Sequence, residues 1–158
     1  MFKHHVTSFD VYLKSDFVKF NEYISSIDAD ESTGMIKENI VVHISCHGYP
    51  CGLAMGKDHI QWDELASILV LLADDKFSDK LLWSISSCGT SEQQFTGAFN
   101  MLDVKVRRKI HPPAFVVFFE QDTIYWDDAL ISWGMFYHQL GKSKYKDLKK
   151  RTLSPLLI

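Results

Sequence analysis

Three continuous apolar runs stand out along the chain and predict strands. They occupy residues 40–46, 81–86 and 114–119. A run without polar alternation is typical of a strand that is buried on both faces, as in a parallel sheet. A shorter strand is predicted at residues 6–13.

Amphipathic segments predict the helices between these strands. The first covers about 17–27, after Asp16 as its cap, and the second covers 62–72. A third helix starts at Asp127 or Asp128 and ends near Gly141. Residues 91–99 lead from a loop into a further helix, and 49–57 is rich in turns. Strands that alternate with helices predict an α/β fold with a mostly parallel central sheet and helices on both faces.

The bulk composition narrows the class of protein. At 158 residues, with 46% hydrophobic and 13% aromatic residues, the chain fits one globular domain rather than a disordered segment. A net charge of −3 gives no general attraction to nucleic acid or to an anionic membrane. The basic tail at 142–158 is interpreted as a solvated, mobile end, with docking of an acidic partner as the alternative.

Localisation is predicted from the cysteines and from the start of the chain. Three cysteines, an odd number, indicate a reducing compartment. The first residues lack the apolar core of a signal peptide, and no apolar run is long enough for a membrane span. We therefore expect a cytoplasmic protein with free thiols.

Two short motifs carry candidate chemistry, because each follows a predicted buried strand. His47-Gly48 follows the strand at 40–46, and Cys88-Gly89 follows the strand at 81–86. The carboxyl ends of parallel strands meet at one edge of a sheet, where open α/β folds place their chemistry. The pair predicts a cysteine nucleophile with a histidine partner. The alternative is a small buried cysteine and an ordinary loop histidine.

A metal site was weighed against this interpretation. The spacing H-x2-C-H-x3-C, formed by His43, Cys46, His47 and Cys51, contains zinc-binding residue types. Strand alternation would direct His43 and Cys46 to opposite faces, and no second regular pair follows. We expect no metal and no other cofactor, while a redox or disulfide role for Cys51 stays open.

Three stretches, in order, resemble the caspase-like cysteine proteases, the group of caspases, metacaspases, separases and bacterial CHAT domains. They are HISCHGYPCGLAMGKDHIQWDELASIL, LLWSISSCGTS and AFVVFFEQDTIYWDDALISWGMFYHQLGK. Cys88 follows His47 by 41 residues, near the roughly 50 of caspases. The Gln-Ala-Cys-Arg-Gly motif of caspases is absent. The resemblance implies a three-layer caspase-like fold.

The resemblance also assigns roles at the site. It makes Cys88 the nucleophile and His47 the general acid and base of a dyad, with no third orienting carboxylate assigned. It places the oxyanion hole at the backbone N–H groups of Gly48 and Cys88. Ser86 occupies the position that, in this group, contacts the side chain of the substrate residue that precedes the scissile bond.

Two further residues are assigned to the substrate groove in the same way. Trp126 would wall the groove. Asp127 aligns with a caspase arginine, and an acid there implies a preference for Lys or Arg before the scissile bond. The alternative is that Asp127 and Asp128 only cap the following helix, and that Trp126 belongs to the core.

The function implied is a caspase-like cysteine endopeptidase, a regulated effector in a bacterial antiviral or cell-death system. Its partners would be a protein or peptide substrate and a regulatory protein or second copy of the chain. One alternative is a catalytically silent caspase-like adaptor that only binds other proteins. Another is a Cys-His enzyme of a different acyl-transfer class, such as an amidase.

Overall fold

The computed structural model describes residues 7–8, 10–69, 75–78, 80–91, 93–98, 101, 115–118, 123 and 125–142. The chain divides into two compact units, residues 1–123 and 124–158. The described elements of the first unit are, in order, α1 (Lys14–Ser25), β1 (Ile40–Ser45), β2 (His47–Tyr49), β3 (Gly52–Met55), β4 (Asp58–Gln61), α2 (Trp62–Leu69), a 3-10 turn (Asp75–Phe77), β5 (Leu81–Ser86), α3 (helical residues 93–98) and β6 (Phe115–Phe118). The second unit contains α4 (Trp126–Lys142).

A parallel sheet joins the three strands that the apolar runs predicted. Its order is β1-β5-β6, and both neighbouring pairs are parallel. The β1–β5 register runs from Ile40 beside Leu81 to Ser45 beside Ser86. Every side chain of β5 is buried, and four of its six residues are apolar, as expected for a strand inside a parallel sheet. The mixed α/β class with a small parallel sheet is therefore confirmed, while the three-layer arrangement and the single domain stay predictions.

A second, antiparallel sheet of order β2-β3-β4 occupies the segment that the sequence indicated as turns. Its strands are three or four residues long, too short to show a clear alternation of apolar and polar positions. Two-residue loops join them. In the second loop, Gly56 has φ of 55° and lies against the backbone of Tyr12. The glycines that predicted turns thus belong to tight hairpins.

The core of the first unit lies between α1, α2 and one face of the parallel sheet. Its buried side chains come from all three, and they include Phe17, Ile24, Val42, Ile44, Leu65, Leu69, Leu81, Trp83 and Ile85. Trp62, at the start of α2, packs edge-on against Phe95 of α3 with ring centroids 5.5 Å apart. Its indole N–H donates to the carbonyl of Pro50 at 2.8 Å, which ties α2 to the β2–β3 loop.

Three predicted boundaries differ from the structure. The described residues 7–8 and 10–13 form no strand. Helix α1 begins at Lys14, and Asp16 is inside its first turn rather than before it. The carboxylate of Asp16 accepts hydrogen bonds from the N–H groups of Tyr12 and Leu13 at 3.2 and 3.0 Å, which lowers the pKa of Asp16.

Helix α4 begins at Trp126 and continues through Gly141, because one glycine costs a helix only about 1 kcal/mol.

Candidate functional site

The two motifs lie against each other at the carboxyl edge of the parallel sheet. Beyond the last register pair, the N–H of Cys46 donates to the carbonyl of Ser86 at 3.2 Å. The backbone of Gly48 then lies on the turn that contains Cys88. A Cβ atom at Gly48 would be 2.5 Å from the Cys88 carbonyl oxygen and 2.7 Å from Ser87 Oγ. Only glycine fits this contact without a shift of the turn backbone.

The Cys88 turn has its own local determinants. Cys88 and Gly89 are the central residues of the turn between Ser87 and Thr90. Gly89 has φ of 64°, a conformation that residues with a side chain rarely adopt. The Thr90 hydroxyl donates to the carbonyl of Ser87 at 3.3 Å. The small residues around Cys88 therefore let the chain reverse direction directly after β5.

Strand register describes the residues that lead up to His47 and Cys88. In the β1–β5 ladder, His43 lies beside Ser84 and Ser45 lies beside Ser86. Side chains alternate along a strand, so residues two apart share a face. The ladder ends at this last pair, because His47 belongs to β2 of the other sheet and Cys88 lies in the turn after β5. The contact that joins the two motifs is between the backbone of Gly48 and the Cys88 turn.

The N–H of Gly48 faces away from the β2–β3 hairpin. Tyr49 pairs with Gly52 across a two-residue loop, and such a loop closes on a hydrogen-bonded pair. Hydrogen-bonded and non-hydrogen-bonded pairs alternate along antiparallel strands. Gly48, opposite Leu53, is therefore in a non-hydrogen-bonded pair, and its N–H points from the free edge of β2. This direction suits a hydrogen-bond donor to a ligand.

The three cysteines carry thiols rather than disulfides, and their surroundings differ. Cys88 is half-buried in its turn, and Cys51 is exposed in the β2–β3 loop. Cys46 packs against the core, and burial raises its pKa to about 12. Cys46 is therefore protonated at neutral pH and unsuited to nucleophilic attack.

A polar stripe on the parallel sheet contains Ser86, which the resemblance assigned to substrate contact, and three residues without a role in the predicted dyad or groove. His43 and Ser45 are exposed on β1, while Ser84 and Ser86 are buried on β5. Burial of part of the imidazole lowers the pKa of His43. The signal was present in the sequence, because each of these residues interrupts an apolar run at a period of two.

The predicted groove residues are at the start of α4, in the second unit. Trp126 is its first residue and is 67% exposed, and exposed Asp127 follows in the first turn. A carboxylate there interacts favourably with the helix dipole, as the capping alternative expects. The exposure of Trp126 does not fit its alternative assignment to the core. The predicted roles of Trp126 and Asp127 in substrate binding stay predictions.

Two other kinds of feature, a metal centre and a membrane-spanning helix, are absent from the described residues. Within the described part of the chain, no group of three or more His, Cys, Asp or Glu side chains is arranged to hold a metal ion. No described helix combines the length and apolar character needed to cross a bilayer.

Comparisons with known proteins leave the family open. No protein-family model, no curated protein and no solved structure matches the chain. The resemblance to caspase-like proteases therefore stays a prediction that rests on the motifs.

Proposed function

We propose that the chain is a cysteine endopeptidase in which His47 and Cys88 form the catalytic dyad. The observation that carries the proposal is the contact of Gly48 with the Cys88 turn. It brings a His-Gly step and a thiol turn from distant parts of the sequence to one sheet edge. Both motifs follow the last register pair of the β1–β5 ladder, Ser45 with Ser86, which supports the same pairing.

The chemistry follows from these groups. The Cys88 thiolate attacks the carbonyl carbon of a peptide bond, and the oxyanion that forms accepts hydrogen bonds from the N–H groups of Gly48 and Cys88. Protonated His47 gives its proton to the leaving amine as the C–N bond breaks, which leaves a thioester on Cys88. Neutral His47 then takes a proton from water, and the hydroxide released hydrolyses the thioester.

We further propose a caspase-like, three-layer arrangement and a regulated role. The support for the fold is the order of a parallel strand, a His-Gly step, a hairpin sheet and a second parallel strand that is followed by the Cys88 turn. An endopeptidase inside a bacterial cell needs control, which a regulatory protein or self-association would supply. Antiviral defence or cell death is the context that the resemblance implies.

A thiol-directed activity probe tests the dyad. Labelling of the intact chain by a peptide chloromethyl ketone should be lost in Cys88→Ala and slowed at least tenfold in His47→Ala. Matched controls are Cys51→Ser, which removes an exposed thiol, and His59→Ala, which removes an exposed imidazole from β4. Equal labelling of wild type and Cys88→Ala would overturn the dyad.

Cleavage of a peptide library separates the endopeptidase from the alternatives. Wild type should cut internal peptide bonds, and Cys88→Ala should cut none. Release of ammonia from side-chain amides without backbone cleavage would favour the amidase alternative. A chain that cuts nothing, and whose Cys88→Ala variant retains its biological effect, would be the silent adaptor.

A further inference from the structure

The parallel sheet has a polar stripe on the face opposite the core. In β1 and β5 the core face carries Val42, Ile44, Leu81, Trp83 and Ile85. On the other face, two register pairs are polar, His43 with Ser84 and Ser45 with Ser86. We call these four residues the polar ladder. Strands of a parallel sheet are normally apolar on both faces, so this composition needs a reason other than packing.

The burial of Ser84 in this stripe lowers the stability of the fold. Ser84 is completely buried, and its hydroxyl makes no hydrogen bond in the described part of the chain. An unsatisfied buried hydroxyl destabilises a fold, and an alanine at that position would avoid the cost. Polar groups kept at such a position are typical of a binding site, where a ligand supplies the missing partner.

The polar ladder lies next to the proposed dyad in the chain. Ser45 and Ser86 form the last register pair of β1 and β5, and each precedes a residue of the proposed dyad by two positions. The His43–Ser84 pair lies one step further. On the β1 side the ladder is open to solvent, because His43 and Ser45 are exposed. A substrate side chain next to the attacked carbonyl could reach the first pair from that side.

We infer, on the basis of the proposed function, that the polar ladder binds the substrate side chain before the scissile bond, and that this side chain is a carboxamide, Gln or Asn. Ser45 and Ser86 would contact the amide, and His43 and Ser84 would form a neutral polar floor beneath it. This specificity differs from the Lys or Arg preference that Asp127 predicted.

The chemistry of the ladder favours a neutral polar group. A carboxamide offers both hydrogen-bond donors and acceptors, and serine hydroxyls supply both in return. No described residue on this face of β1 and β5 carries a carboxylate that could pair with a Lys or Arg of the substrate. None carries a guanidinium or ammonium group that could pair with an Asp or Glu of the substrate. Partial burial lowers the pKa of His43, which favours its neutral imidazole. A charged side chain would therefore be desolvated without a counter-charge.

A peptide series tests the inference with the full chain. Peptides that differ only before the scissile bond, with Gln, Asn, Ala, Lys, Arg or Asp, are compared by kcat/KM. Gln or Asn should exceed Lys, Arg and Asp at least tenfold. Ser86→Ala should lower kcat/KM for Gln and Asn about tenfold, the value of one lost hydrogen bond, and should lower kcat/KM for the Ala peptide clearly less.

Control variants keep the test specific. Ser67→Ala removes an exposed helix serine whose hydroxyl donates to the carbonyl of Asp63. This variant should leave kcat/KM unchanged for every peptide of the series. Ser84→Ala removes the unsatisfied hydroxyl, so it should fold at least as stably as wild type while selectivity for the carboxamide falls.

The outcomes separate the two proposals. A preference for Lys, Arg or Asp would overturn the carboxamide site and leave the endopeptidase standing. An equal loss for the Gln and Ala peptides in Ser86→Ala would also overturn it. No cleavage of any peptide, together with labelling that does not depend on Cys88, would overturn the proposed function and the carboxamide site together.

Discussion

Small residues decide the geometry of the candidate site. Gly48 has no side chain, and the Cys88 carbonyl, Ser87 hydroxyl and Thr90 methyl occupy the space where one would begin. Gly89 adopts a positive φ in the adjoining turn. The histidine and the cysteine therefore depend on their glycine neighbours for their relative placement.

Replacement of Gly48 tests this contact. Gly48→Ala should lower the free energy of unfolding by about 1–3 kcal/mol, because the new methyl group displaces the turn backbone. It should also slow labelling of Cys88. Urea denaturation measures the first effect. Gly134→Ala, in open space on α4, is the control and should raise stability by about 0.5–1 kcal/mol. A Gly48→Ala variant as stable as wild type would contradict the contact.

The three thiols should react at different rates. Alkylation by iodoacetamide at pH 7, followed by mass spectrometry of the peptides, should label Cys46 slowest, because its pKa of about 12 leaves almost no thiolate. Exposed Cys51 provides the reference rate within the same chain. Labelling of Cys46 as fast as that of Cys51 would show that the thiol of Cys46 is not buried as described.

At the scale of the element, side chains distant in sequence contact both ends of α1. At its start, the ammonium group of Lys14 forms an ion pair with Glu64 of α2 at 2.8 Å. At its end, Lys76 Nζ donates to the carbonyls of Ser25 and Ile27 at 2.5 and 3.0 Å. A cation at a helix C-terminus satisfies carbonyls that have no partner within the helix.

Removal of the Lys76 charge tests the second contact. Lys76→Met keeps the length of the side chain and should lower the midpoint of thermal unfolding, at a cost of about 0.5–1 kcal/mol. Lys57→Met, at the exposed β3–β4 turn, is the matched control and should have little effect. Equal midpoints for the two variants would exclude a stabilising role for Lys76.

The sequence predicted the bounds of an element correctly where a local pattern of apolar residues sets them. It did not predict them where contacts with other elements set the bounds. The bounds of the strands around Val42 and Trp83 were predicted closely, because both segments are rich in apolar residues. The predicted burial on both faces holds for β5, whereas β1 is buried on one face only. The hairpin strands were missed, since their pairing depends on tight turns at Pro50-Cys51 and Gly56-Lys57. The early start of α1 was missed because Leu13 carries no side-chain capping signal.

At the scale of the whole molecule, the pH dependence of folding should report on His43. Its pKa is lowered in the folded chain, so the unfolded chain binds a proton first as the pH falls below about 6.5. The free energy of unfolding should therefore have its full value above that pH and should decrease below it. His43→Asn should flatten this part of a urea midpoint profile between pH 5 and 8. An unchanged slope would show that His43 is not the group responsible.

The sequence by itself determined the strands of the parallel sheet and the presence of His47-Gly48 and Cys88 at the ends of two of them, because hydrophobic burial leaves a local pattern. The tertiary structure alone decided that Gly48 lies on the Cys88 turn and that His43 and Ser45 lie beside Ser84 and Ser86. Register and close packing depend on residues some 40 positions apart, and no local pattern records that alignment.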